Sequence, residues 1–94
     1  MSSNIVRRAG RAVGRVQGVG FRMFVRREAT LRGVTGWVKN ISDGSVAMEL
    51  QGESSIVDEL IARIKRGRGR IKVTAFEVAE LPVAEGEIKF VIRK

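Results

Sequence analysis

The stretch GRVQGVGFR, residues 14–22, connects the first predicted strand of the chain to its first predicted helix. Glycine stands at three of its nine positions, and Arg22 falls in the first turn of that helix. The first N–H groups of a helix have no intrahelical partners, and glycines let such groups curl into a concave anion site. The stretch therefore predicts a loop that holds a phosphate group, to which Arg22 adds a planar fork of donors.

Two common phosphate motifs do not fit this loop. A Walker loop has four residues between its glycines and then Gly-Lys-Ser/Thr, whereas three residues separate Gly14 from Gly18. The dinucleotide-binding pattern fails because Met23 occupies its third glycine position. The residues by themselves leave two interpretations open: an anion-binding loop, or a tight strand-to-helix turn with Arg22 as a solvated helix residue.

Strand and helix patterns alternate along the rest of the chain. The Asp43-Gly44 pair predicts a tight hairpin turn. Ser54 or Ser55 is expected to cap the second helix, with Ser55 and Asp58 as a loose capping box. The predicted strands are residues 5–13, 36–41, 46–51, 71–78 and 88–92, and the predicted helices are residues 22–32 and the segment between Ser54 and Gly67.

This order of elements, β-α-β-β-α-β with one further short strand, predicts the α+β class. The specific expectation is a ferredoxin-like two-layer sandwich, in which an antiparallel sheet carries two helices on one face. A length of 94 residues favours one domain over residues 1–94, and no repeat or linker divides the chain.

The composition excludes several kinds of chemistry. The chain has no cysteine, which excludes disulfides and cysteine nucleophiles, and no histidine, the commonest general base and metal ligand.

Residues 1–13 lack the apolar region of a signal peptide, and no apolar run approaches the ~20 residues of a membrane span, so we expect a cytoplasmic protein. The formal net charge of +8 attracts anions, which include nucleic acid, acidic membranes and phosphorylated metabolites.

Two blocks of the sequence resemble the signatures of the acylphosphatase family. GRVQGVGFR resembles the phosphate loop of that family. The stretch GWVKN at residues 36–40, followed by DGSV at residues 43–46 and by Gly52, resembles its second signature. The resemblance covers about residues 5–92 and implies a small ferredoxin-like enzyme of the cytoplasm. It also implies hydrolysis of acyl phosphates to a carboxylate and inorganic phosphate.

The resemblance assigns roles to individual residues. Arg22 is implied to bind the phosphate, and Asn40 to position the attacking water. Without the second block, Asn40 would be interpreted as a turn-capping residue. The amides that line the phosphate cradle are implied to be those of Gln17, Gly18, Val19, Gly20 and Phe21.

This chemistry is compatible with the missing residue types. An acyl phosphate already has a good carboxylate leaving group, and phosphoryl transfer depends mostly on positioning and charge stabilisation. Asn40 can orient a water molecule without repelling the phosphate dianion. We therefore expect no metal and no cofactor. The expected partners are a small acyl phosphate and, as a product-like anion, phosphate or sulfate. We expect a monomer that does not associate with a membrane.

The rival function is a basic ferredoxin-like domain that binds nucleic acid, suggested by the net charge. The chain has only five aromatic residues and no RNA-recognition run of the Lys/Arg-Gly-Phe/Tyr type, so nucleic acid is not the favoured partner. A second rival is a module that acts on carbamoyl phosphate within a larger enzyme. The strongest local charge, KRGRGRIK at residues 65–72, is either a patch that attracts a polyanion or metabolite, or a solvated loop, and we favour the solvated loop.

Overall fold

The computed structural model describes residues 4–94. Residues 1–3 lie outside the described residues. The predicted start of the domain and part of the signal-peptide expectation rest on these residues. No helix in the described part is long and apolar enough to span a membrane. The elements in chain order are β1 (Ile5–Arg15), α1 (Phe21–Leu31), β2 (Thr35–Asn40), β3 (Val46–Glu53), α2 (Ser54–Arg66), β4 (Lys72–Leu81) and β5 (Phe90–Arg93).

The strands form one five-stranded sheet in the order β4-β1-β3-β2-β5. The first four strands pair antiparallel, which is the split βαβ arrangement, and the α+β ferredoxin-like fold is confirmed. The sheet is nevertheless mixed, because β5 pairs with β2 in parallel. β4 and β5 lie at opposite edges, so residues 82–89 carry the chain across the whole sheet.

The core lies between the helices and one face of the sheet. Most apolar residues at helical spacing in α1 and α2 are buried there, as their periodicity predicts. Ile56 and Ile61 are only partly buried, and Leu31, predicted to lie on the apolar stripe of α1 one heptad after Phe24, is 70% exposed. The fully buried side chains include Val25 and Ala29 of α1, Val38 of β2, Met48 and Leu50 of β3, and Val57, Leu60 and Ile64 of α2.

The predicted cap of α2 is wrong. The N-cap residue is Glu53, Ser54 already belongs to the helix, and no side chain caps its start. The hydroxyl of Ser55 donates to Glu53 rather than to the backbone. The capping box does not form because Ser55 lies inside the helix, two residues after the N-cap; the carboxylate of Asp58 forms an ion pair with Arg8 of β1 instead.

The last two strands also differ from their predicted limits. β4 begins at Lys72 and continues to Leu81, so it is longer at its end than the alternation indicated. β5 begins only at Phe90, and Ile88, which was expected to face the core, is 86% exposed. Residues 82–89 are held by side chains of the sheet instead of forming a ladder.

The sheet face opposite the helices contains a buried charge cluster beneath residues 82–89. Arg7 of β1 is only 5% exposed, and its guanidinium donates to Glu49 at 2.8 Å, Gln51 at 3.1 Å and Glu87 at 2.8 Å. The amide of Gln51 donates to the carbonyl of Ala84 at 2.8 Å and accepts from its N–H at 2.8 Å. These bonds attach the crossing segment to the sheet.

The charge state of Glu87 follows from this cluster. Burial alone would raise the pKa of its carboxyl group, but the hydrogen bond and charge of Arg7, with a further hydrogen bond from Thr35, lower it below its ordinary value. Glu87 therefore stays ionised at neutral pH and remains a full partner for Arg7.

We expect Arg7→Met to lower the free energy of unfolding by about 2–4 kcal/mol, because it leaves Glu49 and Glu87 as partly buried charges without a partner. The measurement is urea unfolding at pH 7. The matched control is Arg11→Met on the same face of β1, whose ion pairs with Asp43 and Glu77 are exposed, and its loss should be much smaller. Equal losses for the two variants would contradict the structural role given to Arg7.

Candidate active site

The connection from β1 to α1 contains two glycines with left-handed backbone. Gly18 has φ 73° and Gly20 has φ 78°, a region that other residues rarely adopt. No atom lies within 4 Å of the position where a Cβ would stand at either glycine. Backbone conformation, rather than crowding, therefore requires glycine here, and the two left-handed residues flanking Val19 give the loop its curl.

The start of α1 presents unpaired N–H groups. The first backbone hydrogen bond of the helix runs from the N–H of Phe24 to the carbonyl of Gly20, at 3.0 Å. No atom of residues 4–94 accepts a hydrogen bond from the N–H groups of residues 18–23, and the first turn contains no acidic side chain. Such a helix start attracts an anion through its free donors and its dipole.

The side chain of Gln17 joins this loop to the turn between β2 and β3. Its Nε2 donates to the carbonyl of Ile41 at 2.8 Å and to the carbonyl of Ser45 at 2.9 Å. The prediction for Gln17 concerned only its backbone amide, so this role of the side chain was missed. The available signal was a long carboxamide side chain in a loop composed otherwise of glycine and apolar residues.

The turn that Gln17 contacts is itself well ordered by hydrogen bonds. The N–H of Gly44 donates to the carbonyl of Ile41 at 3.1 Å, so the predicted Asp43-Gly44 hairpin turn is confirmed. Asp43 accepts from the hydroxyl of Ser45 at 2.6 Å and from its N–H at 2.9 Å. These two bonds, with the guanidinium of Arg11, hold the pKa of Asp43 well below its usual range.

Asn40 is the last residue of β2 and precedes this turn. Alternation along the strand puts it on the same face as Val38, which is fully buried beneath the helices, while Lys39 belongs to the opposite face. The Oδ1 atom of Asn40 is buried, and no donor in residues 4–94 hydrogen-bonds to it. A buried acceptor without a donor costs about 1–3 kcal/mol, so this atom suits a donor from outside the chain, such as a water molecule.

Arg22 lies in the first turn of α1 and is partly buried. Within residues 4–94, no carboxylate lies within 4.0 Å of its guanidinium and no acceptor takes a hydrogen bond from it. Its five N–H donors are therefore uncommitted. The described residues also contain no group of three or more acidic side chains that could hold a metal ion.

A groove adjoins the same loop. It has a volume of about 810 Å³ and is lined on one side by Gly18, Val19 and Gly20. Arg22 and Asn40 do not line it. The loop thus lies beside the strand end that carries Asn40. It also forms one side of a groove that neither of the predicted catalytic residues lines.

Comparisons with known proteins point to one family. The family model described as Acylphosphatase matches residues 9–92. A protein of Chlorobaculum tepidum named acylphosphatase is 54% identical over 70 residues, which are 74% of this chain and 76% of the relative. The crystal structure of acylphosphatase from Bacillus subtilis has a TM-score of 0.90 at 38% identity, covering 95% of this chain and 99% of that one.

One further match is to part of a much longer protein. The crystal structure of full-length HypF, in a form described as phosphate- and nucleotide-bound, has a TM-score of 0.89 at 29% identity. The match covers 100% of this chain and 12% of HypF.

The fold and the comparisons define an α+β hydrolase of ferredoxin-like architecture with a glycine-built loop before its first helix. The chain belongs to the acylphosphatase family, whose enzymes hydrolyse acyl phosphates.

We expect Gln17→Met to weaken phosphate binding about five- to tenfold, because the loop loses both hydrogen bonds that attach it to the β2–β3 turn. Isothermal titration with inorganic phosphate measures the effect. The matched control is Gln51→Met, which removes two comparable bonds to Ala84 and should lower stability without changing phosphate affinity. Unchanged phosphate affinity in Gln17→Met would refute the positioning role of this side chain.

Proposed function

We propose that this chain hydrolyses acyl phosphates by direct transfer of the phosphoryl group to water, with the phosphate held by residues 17–22. Water oxygen forms the new bond to phosphorus, and the bond between phosphorus and the acyl oxygen breaks. An acyl phosphate dianion and one water molecule then give a carboxylate and a dihydrogen phosphate ion. The electron pair of the broken bond leaves with the carboxylate.

The observation that carries the proposal is the pair of hydrogen bonds from Gln17 to the carbonyls of Ile41 and Ser45. Because Asn40 directly precedes Ile41, these bonds keep the loop beside the strand end that bears the carboxamide. A site for this reaction needs an anion cradle and a water-orienting group close together. The unpaired N–H groups of residues 18–23 supply the cradle.

Arg22 binds two phosphoryl oxygens through its planar fork in this proposal. Its uncommitted guanidinium and its place in the first turn of α1 support that role, since no carboxylate has to be displaced first. Charge that develops on the phosphoryl oxygens in the transition state then faces both the guanidinium and the N–H groups of the loop.

Asn40 orients the attacking water through its Oδ1 atom, which is buried and has no donor within residues 4–94. A water that donates one hydrogen bond to Oδ1 has its oxygen lone pair directed away from that bond and toward phosphorus. The carboxamide is neutral and does not repel the phosphate. A phosphate oxygen of the substrate accepts the proton that the water releases, so the site needs no histidine.

The reaction requires no metal in this proposal, because Arg22 and the N–H groups provide the charge stabilisation. Phosphate is the product-like ligand, and HypF, whose matched part has this fold, is described as phosphate-bound. The expected sulfate binding, the single domain over residues 1–94, the monomeric state and the cytoplasmic location stay predictions.

We expect Arg22→Ala to lower kcat/KM for benzoyl phosphate about 10²–10³-fold, the loss typical of one preorganised charge donor, and to weaken phosphate binding. Arg22→Lys should recover little of the activity, because an ammonium group cannot form the fork. Hydrolysis is measured in EDTA, which also tests independence from metal. Arg66→Ala, at an exposed position at the end of α2, is the control and should retain activity. A fully active Arg22→Ala variant would exclude Arg22 from phosphate binding.

Asn40→Ala should lower kcat for benzoyl phosphate at least about 10²-fold while phosphate affinity changes less than about twofold, because the side chain orients water rather than phosphate. Single-turnover hydrolysis and phosphate titration separate the two effects. Asn40→Asp keeps the shape and adds a negative charge, so it should weaken phosphate binding as well. If Asn40→Ala hydrolysed benzoyl phosphate at the normal rate, the water would have to be oriented by another group.

A further inference from the structure

The groove beside the loop is a concave surface that the proposed reaction does not use. It opens between the start of α1 and the connection from α2 to β4, and residues 18–20 and 68–71 line it from the two sides. Its volume of about 810 Å³ is within the range of about 300–1,000 Å³ typical of small-molecule sites.

Four arginines line this groove: Arg26 and Arg27 from α1, and Arg68 and Arg70 from the connection. No acidic residue lines it. Within residues 4–94, none of the four forms an ion pair. Their guanidinium donors are therefore available to an anion from solution.

Several arginines outside the groove are paired with carboxylates. Each of the following arginines forms at least one ion pair with an Asp or Glu: Arg7, Arg8, Arg11, Arg32 and Arg63. These ion pairs lie on the sheet and between the helices, whereas the four arginines of the groove stand together without an acidic partner within residues 4–94. The local field there attracts anions more strongly than the net charge alone implies.

The groove also offers apolar surface between its charges. Val19, Met23, Phe24 and Ile71 line it, and Met23 is 62% exposed. An apolar segment of a ligand can contact this surface while an anionic end meets the arginines. The groove therefore suits an amphiphilic anion.

We propose that this groove binds the acyl part of the substrate and favours acyl phosphates whose acyl part has a second anionic group, a carboxylate or a phosphate. The inference rests on the proposed function, in which the loop holds the phosphoryl group. In-line transfer puts the attacking water and the leaving carboxylate on opposite sides of phosphorus. Asn40 holds the water in this proposal, so the acyl part extends from phosphorus on the side away from Asn40. The groove reaches the loop and is not lined by Asn40, so it can receive the acyl part.

The shape and lining of the groove favour a small anion over a nucleic acid. Single-stranded nucleic acid is bound along extended basic tracks with aromatic rings on which successive bases stack. Phe24 is the one aromatic residue that lines this groove, and the guanidinium of Arg63 already lies 4.9 Å from the centre of its ring.

The test compares two substrates that differ in one group, benzoyl phosphate and 4-carboxybenzoyl phosphate. We expect the unmodified protein to have a kcat/KM for the carboxylated substrate about tenfold higher, the size expected of one charge-assisted hydrogen bond. Arg68→Ala/Arg70→Ala should bring this ratio close to one, because it lowers kcat/KM for the carboxylated substrate more than for benzoyl phosphate.

The control is Lys65→Ala/Arg66→Ala, which removes the same charge at two exposed positions at the end of α2, outside the groove. It should keep the preference for the carboxylated substrate. Arg26→Ala/Arg27→Ala tests the α1 side of the groove and should lower the preference. A ratio near one in the unmodified protein, or equal losses in the groove and control variants, would overturn the inference and leave the proposed function intact.

Two further measurements separate the remaining outcomes. Titration with benzylphosphonate and 4-carboxybenzylphosphonate measures the same preference without turnover. If neither acyl phosphate is hydrolysed but the carboxylated phosphonate binds more tightly, the proposed function fails and the groove assignment stands. If the arginine substitutions abolish binding of a short single-stranded RNA and leave both substrate and phosphonate preferences unchanged, the groove is a nucleic-acid surface instead.

Discussion

The backbone N–H groups at the start of α1 have no acceptor within the described chain, and the site is arranged around these free donors. A helix start is ordinarily capped by a side-chain oxygen or an acidic residue, and α1 has neither. Gly18 and Gly20 curl the loop, whose N–H groups remain free, and the side chain of Gln17 attaches the loop to the β2–β3 turn. The absence of an internal cap leaves the position open to an external anion.

The arginines of the chain differ in whether they have an acidic partner within residues 4–94. On the sheet and between the helices, arginines are used in ion pairs that hold elements together, as Arg7 does beneath residues 82–89. Arg22 and the arginines of the groove have no such partners within residues 4–94. Removing an internal pair therefore affects folding, whereas removing a groove arginine should affect only what the surface binds.

The sequence predicted those features that depend on a residue and its near neighbours in the chain. Glycines before a helix predicted the loop, and apolar stripes predicted both helices, because backbone freedom and helical periodicity are local properties. The parallel pairing of β5 was not predictable, since alternation says nothing of which neighbour a strand joins. The predicted cap of α2 was wrong because β3 runs directly into the helix, which begins at Ser54 with Glu53 as its N-cap.

In the site, too, contacts between residues distant in sequence were not predicted. Arg22, Asn40 and the loop were recognised from two sequence blocks, but the side-chain role of Gln17 depends on a turn more than twenty residues away. The groove is formed by residues of the loop and α1 on one side and by residues 68–71 on the other, which only the fold brings together. The burial of Arg7 depends on Glu49 and Glu87, which lie more than forty residues away in the sequence, so its neighbours in the chain did not indicate it.

The edge position of β4 has a consequence for the protein in concentrated solution. This strand is ten residues long and its outer edge is unpaired within the described chain, so it could template the addition of a foreign strand. Glu77 and Glu80 are paired with Arg11 and Arg8 of β1 on its two faces, and Lys72 stands at its start. An incoming strand would have to desolvate these charges, and the ion pairs that fasten β4 to the sheet thereby also protect the molecule against edge-to-edge aggregation.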